Sequence, residues 1–379
     1  PSNVDSEGLI GLLWHPLNAL LVFLPLGIFS FYRKWGDSLT FWLNFLALIP
    51  LAKILGDATE ELAAGLKNDV LAGCLNASFG NAVEMVIMIQ TLRANLFDVV
   101  KAYLMGSVLS NSLLVLGASF FLGGLFGHGR QQGQPVTNGT FDLLATEPDA
   151  GDMSREPTGS GLCEKVQYFP VLSALVNTSM LLLSCLAFSL VTVFRCISPV
   201  DDPEAEYAAA LLPISRTCSL IVGSSYIAYI VFQLITHKAA LQENGADDGY
   251  PLADKDGPTL SVSKAVVALA VVTVLVVISS ELMVGCIESV CREAHMNMHF
   301  IGIILLPIVG NACEVVAAVR FAMKDRPGLS IGIAIGSSTQ VSLFVVPSSV
   351  VIGWCMQKDM DLDFGALNIT VMTISVVVV

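Results

Sequence analysis

The sequence predicts an all-α polytopic membrane protein, and three observations carry that expectation. Its 379 residues are 54% hydrophobic and only 13% charged, with mean hydropathy +0.72, whereas a soluble domain carries about a quarter charged residues. Apolar runs of spanning length, about 20 residues, recur about ten times along the chain. Between them lie polar connectors that hold many of its acids.

The first run, 16–32, makes an amino-terminal helix within residues 1–36. The runs 38–62, 70–92, 98–126 and 167–194 place helices two to five in a first repeat over 37–194. Inside that repeat, 127–164 is rich in Gly, Pro, Thr and acids and is expected to be a disordered loop. It contains an Asn138-Gly-Thr sequon, a weak glycosylation signal. A sixth run, 214–236, within 195–236 completes the repeat. Residues 237–258, HKAALQENGADDGYPLADKDGP, form a short acidic connector that divides the chain into halves. The runs 260–290, 298–323, 328–354 and 363–379 occupy a second repeat over 259–379. There is no initiator Met, and the last run, VMTISVVVV, stops while still apolar. Ten helices are therefore expected here, the tenth cut short and an eleventh lying beyond it.

A shift of 230 residues relates the two halves. Gly80, Asn81, Ala82 and Glu84 in FGNAVEMVIMI fall on Gly310, Asn311, Ala312 and Glu314 in VGNACEVVAAV. Without a gap, Gly106 and Ser107 in LMGSVLSNSLLVLG then fall on Gly336 and Ser337 in AIGSSTQVSLFVVP. Internal repeats with a site at their interface mark secondary transporters. Five helices per repeat is an odd number, so the repeats are expected to be inverted, with the two Glu-bearing helices facing each other near the membrane midplane.

A charge at the centre of a spanning helix costs about 2.5–3.5 kcal/mol, so a buried acid is functional by default. Here it occurs twice in the same setting. Asn81 and Glu84 stand at i and i+3 on one helical face, and Asn311 and Glu314 repeat that spacing. Gly80 and Gly310 leave room beside them for close helix approach or an exposed backbone carbonyl. Ser107, Ser110 and Asn111, and Ser337, Ser338 and Gln340, add hydroxyls and amides on the following helices. The set is all oxygen, which suits a hard divalent cation. Two ionised carboxylates cancel its charge, and when it leaves, their mutual repulsion draws in protons. Glu60 and Glu61 close the second helix and Glu281 sits deep in the seventh, as candidates for proton relay or ion access; the alternative for each is an interfacial or helix-end charge.

Other classes are excluded. Net charge −13 opposes a nucleic-acid partner. The nine cysteines show no CxxC or Cys/His spacing, so zinc and a disulfide framework are not expected, nor is any cofactor beyond the transported ion. An intramembrane hydrolase finds neither HExxH nor a paired-Asp motif.

The motifs LTFWLNFLALIPLAKILGDATEELA, LNASFGNAVEMV, GSVLSNSLLVLG, FIGIILLPIVGNACE and IGSSTQVSLFVVP give a resemblance covering nearly the whole chain. It resembles cation/proton antiporters of the CAX type in the calcium/cation antiporter superfamily, most closely fungal vacuolar calcium/proton exchangers. The resemblance implies a vacuolar-membrane protein exchanging Ca²⁺ for H⁺, and Mn²⁺, which the same oxygen set accepts, is expected as a second substrate. The resemblance also implies metal-binding Glu84 and Glu314 with Asn81, Asn311, Ser107, Ser337 and Gln340 nearby, and Glu61 as the second-helix acid. Three positions depart from the family pattern: Cys313 for Ala, Val315 for His, and Asp57 for Asn. A sodium-coupled calcium exchanger is the main alternative, and a cation channel a more distant one.

Overall fold

The structure, a computed structural model, describes residues 15–66, 68–126, 171–197, 205–236, 260–324 and 326–379. The expected loop at 127–164 and the acidic connector at 237–258 lie outside them. Among the described residues there are helices and no strands.

Helix α1, Pro16–Arg33, starts with Pro at its first position, where no amide hydrogen is needed, and winds as a 3₁₀ turn to Val22. Lys34 in a left-handed conformation ends it, and Gly36 at φ +114° turns the chain into α2, Asp37–Gly65. Asp37 in the first turn of α2 complements the helix dipole. Span α3, Val70–Arg93, is capped by Asn68, whose side chain accepts from the amides of Val70 (3.0 Å) and Leu71 (3.2 Å). Next come α4, Phe97–Phe126; α5, Val171–Ile197; α6, Ala205–Val231 with a final π-helical turn Phe232–Thr236; and α7, Val262–Gly285. A short helix, Ile287–Glu293, leads to α8, made of Met298–Gly310 and Ala312–Met323 bent by 59°. The last two are α9, Pro327–Cys355, and α10, Ala366–Val378.

Among the described residues ten helices thus occupy the ten expected runs, with two ends displaced. Helix α6 begins before residue 214, because the preceding Ala-rich AEYAAALL propagates a helix well. Helix α7 stops at Gly285, not 290. Glu281 is therefore near the end of α7 and exposed, which corrects the expectation that it lies deep within the helix.

Helices α2 and α9 are well enclosed: 67% and 72% of their most apolar stretches are buried, against 17% for α1 and 22% for α6. The outer helices turn Leu186, Ile227 and Val267 outward, as a lipid-facing surface requires. Helix α2 packs along α7, with Glu61 near its end accepting from the amide of Leu260 (3.2 Å), and Ser38 at its start donating to Glu293 after α7. The two helices are therefore antiparallel.

Lipid gives helices no hydrophobic reason to associate, so close backbone approach takes over. Gly106 of α4 rests on the Ile303 backbone of α8, and Gly302 of α8 rests on Ala102 of α4. This pair sets the spacing of the helices that carry the site.

One end of the bundle is tied by charge. In the α9–α10 connector Asp361 pairs with Lys101 at the start of α4 (2.6 Å), and buried Asp363 pairs with Arg195 at the end of α5. Asp363 also accepts from the Gly365 amide at 3.0 Å, ahead of α10. Asp363→Asn weakens the first contact and is expected to cost about 1–3 kcal/mol. A melting-temperature drop in detergent, with transport kinetics unchanged, is the expected result.

Candidate functional site

Span α3 is not continuous. It breaks into Asp69–Phe79 and Ala82–Arg93, and α8 breaks at the corresponding place, Gly310–Asn311. Asn81 and Asn311 stand at the N-cap positions of the second segments, and Glu84 and Glu314 lie in their first turns. The Asn–Glu spacing of i and i+3 therefore falls at a helix start, as N-cap and third residue of the segment. The consequence is electrostatic: each carboxylate sits at the positive end of a half-helix, where a negative charge is favoured.

Neither Asn caps its own helix with its side chain. Each instead reaches into the other half of the chain. Asn81 Nδ2 donates to Gln340 Oε1 on α9 (2.7 Å). Asn311 Oδ1 accepts from Ser107 Oγ on α4 (2.9 Å), and its Nδ2 donates to the Ser107 carbonyl (3.2 Å). Asn111 Nδ2 donates to Ser337 Oγ (2.9 Å), and Ser338 Oγ donates to the carbonyls of Ala334 (3.0 Å) and Val108 (3.4 Å). Three further π-helical turns lie close by, at Ser110–Val115 in α4, Val341–Val345 in α9 and Ile301–Leu305 in α8. The first two fall at matching positions of the 230-residue shift. Such turns re-aim side chains and recur at functional sites.

The carboxylates are the atoms left over. Glu84 is 1% exposed, and neither of its oxygens has a hydrogen-bond partner. Oε2 of the half-buried Glu314 is likewise enclosed and unpartnered. A Cβ on Gly310 would stand 3.3 Å from Glu84 Oε1, so the α8 break touches the α3 acid directly. Gly80 is exposed, and a Cβ there would approach Gln340 Oε1 at 3.9 Å. Asn81, Asn311 and Ser107 are buried, and Ser337 and Gln340 half-buried. Among the described residues no three Asp, Glu, His or Cys side chains gather to hold a metal. A cation here would draw two carboxylates and complete its shell with amide, hydroxyl and backbone oxygens.

The other acids do not join this pair. Glu60 is exposed and Glu61 half-buried near the end of α2, the latter engaged with Leu260, while Glu281 lies towards the opposite end of α7. On the α2 side, Gly56 abuts the thiol of Cys313, next to Glu314, and Asp57 pairs with Lys53. Sequence reasoning missed Tyr103, fully buried with its hydroxyl 2.7 Å from where a Gly310 Cβ would stand. A lone Tyr in an apolar run gives no periodic signal to separate it from core aromatics.

A family model described as "Sodium/calcium exchanger protein" matches residues 38–235 and 264–379. The chain is 36% identical over 347 residues to vacuolar cation/proton exchanger 1b of Oryza sativa subsp. japonica, covering 90% of this chain and 69% of that one. It is 35% identical over 373 residues to vacuolar cation/proton exchanger 5 of Arabidopsis thaliana, covering 98% and 76%. Both are plant proteins, and nothing in them bears on the expected closeness to fungal members. The solved structure of native YfkE superposes with TM-score 0.71 at 27% identity, over 95% of this chain and 89% of that one. A selenium-substituted crystal structure of the same protein is described as that of a Ca²⁺/H⁺ antiporter.

Proposed function

The chain belongs to the sodium/calcium exchanger protein family, and we propose that it exchanges Ca²⁺ for protons, with Glu84 and Glu314 as the pair that holds either one. The observation that carries this is the set of enclosed, unpartnered carboxylate oxygens in the first turns of two half-helices, with Glu84 set against the α8 break at Gly310. With Ca²⁺ bound, two carboxylates leave the site neutral. Protonation also leaves it neutral. The empty, doubly ionised site carries two like charges in a low-dielectric interior and is costly. A carrier whose loaded forms are neutral and whose empty form is unfavourable reorients only when loaded, and that is the condition for obligatory exchange.

The amide and hydroxyl pairs Asn81–Gln340, Ser107–Asn311 and Asn111–Ser337 bridge the two halves beside the carboxylates. We assign to Asn81, Asn311, Ser107, Ser337 and Gln340 the neutral oxygens of the cation's shell, and to Gly80 and Gly310 the space and backbone oxygens next to it. The halves act as inverted repeats that rock about this interface. Glu60 and Glu61 on one side and Glu281 on the other stand as ion-access or relay groups. The named relatives are vacuolar cation/proton exchangers, and on that footing the protein resides in the vacuolar membrane. Mn²⁺, which accepts the same oxygen set, is a second substrate.

A family of sodium/calcium exchangers makes sodium the rival coupling ion. Reconstituted vesicles separate the two: ⁴⁵Ca uptake is expected to follow an imposed pH gradient and to ignore a sodium gradient of equal size. Uptake that follows sodium and not protons overturns the assignment. Passive uptake that follows neither gradient indicates a channel.

A further inference from the structure

The phenol of Tyr103 is a polar group with no structural employment. The residue is 0% exposed, and its hydroxyl has no hydrogen-bond partner. A Phe would fill the same space without enclosing an unsatisfied polar atom, and each such atom in a packed interior calls for an explanation. Its position supplies one. Tyr103 lies on α4, one turn before Ser107, and its hydroxyl faces the α8 break across Gly310. Glu84 Oε1 faces the same glycine from α3, at 3.3 Å from the point where a Cβ would stand. The missing side chain of Gly310 therefore leaves a small space walled by a phenol oxygen and a carboxylate oxygen, both enclosed and both without partners.

We infer that Tyr103 gives its hydroxyl oxygen to the transported cation beside Glu84, and so favours Ca²⁺ over smaller divalent ions. This rests on the reading of Glu84 and Glu314 as the exchange site. Calcium takes roughly 6–8 oxygen ligands in flexible geometry, whereas Mg²⁺ holds about six in a tight octahedron and keeps several waters. Two carboxylates cannot fill the larger shell alone, and among the described residues no third Asp, Glu, His or Cys gathers with them to hold a metal. A fixed neutral oxygen across from Glu84 adds a ligand that the larger ion can use and the smaller, hydrated ion cannot reach. It adds no charge, so the neutrality of the loaded site is preserved.

Tyr103→Phe tests this, because it keeps the ring and removes only the oxygen. In proton-driven ⁴⁵Ca uptake the expected result is a rise in KM for Ca²⁺ of about tenfold, the worth of one neutral oxygen contact. Maximal rate should stay within about twofold, and inhibition by Mg²⁺ should be unchanged. Without Ca²⁺, the variant should melt no lower than wild type in detergent. An unchanged KM for Ca²⁺ overturns the inference. So does a parallel loss of Ca²⁺ and Mg²⁺ affinity, or failure of the variant to fold, since each assigns the hydroxyl to structure. Glu84→Gln measured alongside keeps the two readings apart. If that variant transports normally, the exchange-site reading fails; if it is dead while Tyr103→Phe is normal, only the inference about Tyr103 fails.

Discussion

Glu84→Gln is expected to abolish proton-driven Ca²⁺ uptake, lowering the rate at least about 100-fold, and Glu314→Gln is expected to do the same. The magnitude follows from charge. Removing one carboxylate leaves a Ca²⁺-loaded site with one uncompensated charge in the middle of the membrane, a burden of about 2.5–3.5 kcal/mol. At about 1.4 kcal/mol per tenfold, that is roughly two orders of magnitude. The amide is close in shape to the carboxylate, and Glu84 has no hydrogen bond to lose. Folding should therefore be unharmed or slightly improved, and purified yield and melting temperature in detergent check that half of the expectation. A variant that folds well and does not transport is the signature of a residue kept for function. Normal transport by either variant would remove that residue from the site.

The second large effect is structural. Gly106→Val is expected to prevent α4 and α8 from docking. A Cβ at residue 106 would meet the Ile303 backbone, with its Cα at 2.7 Å and its carbonyl carbon at 2.8 Å. Backbone atoms cannot swing away as the end of a long side chain can, so the helices must separate. Overpacking of this kind costs about 1–3 kcal/mol in a well-packed core. Here it also displaces Tyr103 and Ser107, which share the helix with Gly106 and face Gly310 and Asn311. Loss of folded protein, or a fall in melting temperature together with lost transport, is the expected outcome. Gly117 is the control on the same helix: nothing lies within 4 Å of its Cβ position, and Gly117→Ala should be tolerated.

The spans were legible because the signal for each is long and simple. About 20 apolar residues bounded by polar ones leave little to interpret, and α2, α4 and α9 begin and end within a few residues of the expected limits. The end of α7 was not legible. ESVCRE continues an amphipathic pattern past Gly285, and the chain does resume a helix there, after a break at Cys286. The breaks in α3 and α8 escaped for a related reason, since hydropathy does not register a change of direction inside an apolar run. A signal for them was present. Asn followed three residues later by Glu has the spacing of a capping box, which marks a helix start. It appears here in altered form: the Asn side chains cross to the other half of the chain and do not cap their own helices. The acid pair itself was visible as two charges in apolar company. Which neutral groups would meet, Asn81 with Gln340 and Ser107 with Asn311, depends on how two halves far apart in sequence pack. No local pattern encodes that, and Tyr103 belongs to the same class of fact.

A site that carries either a cation or protons must release one on binding the other. Proton release upon adding Ca²⁺ to the purified protein, in weakly buffered detergent solution with ⁴⁵Ca binding followed in parallel, measures this directly. The expected result is at least one proton released per Ca²⁺ bound, with both signals lost in Glu84→Gln and in Glu314→Gln. Calcium binding that releases no protons, or that persists with unchanged affinity when either carboxylate is gone, would contradict the assignment.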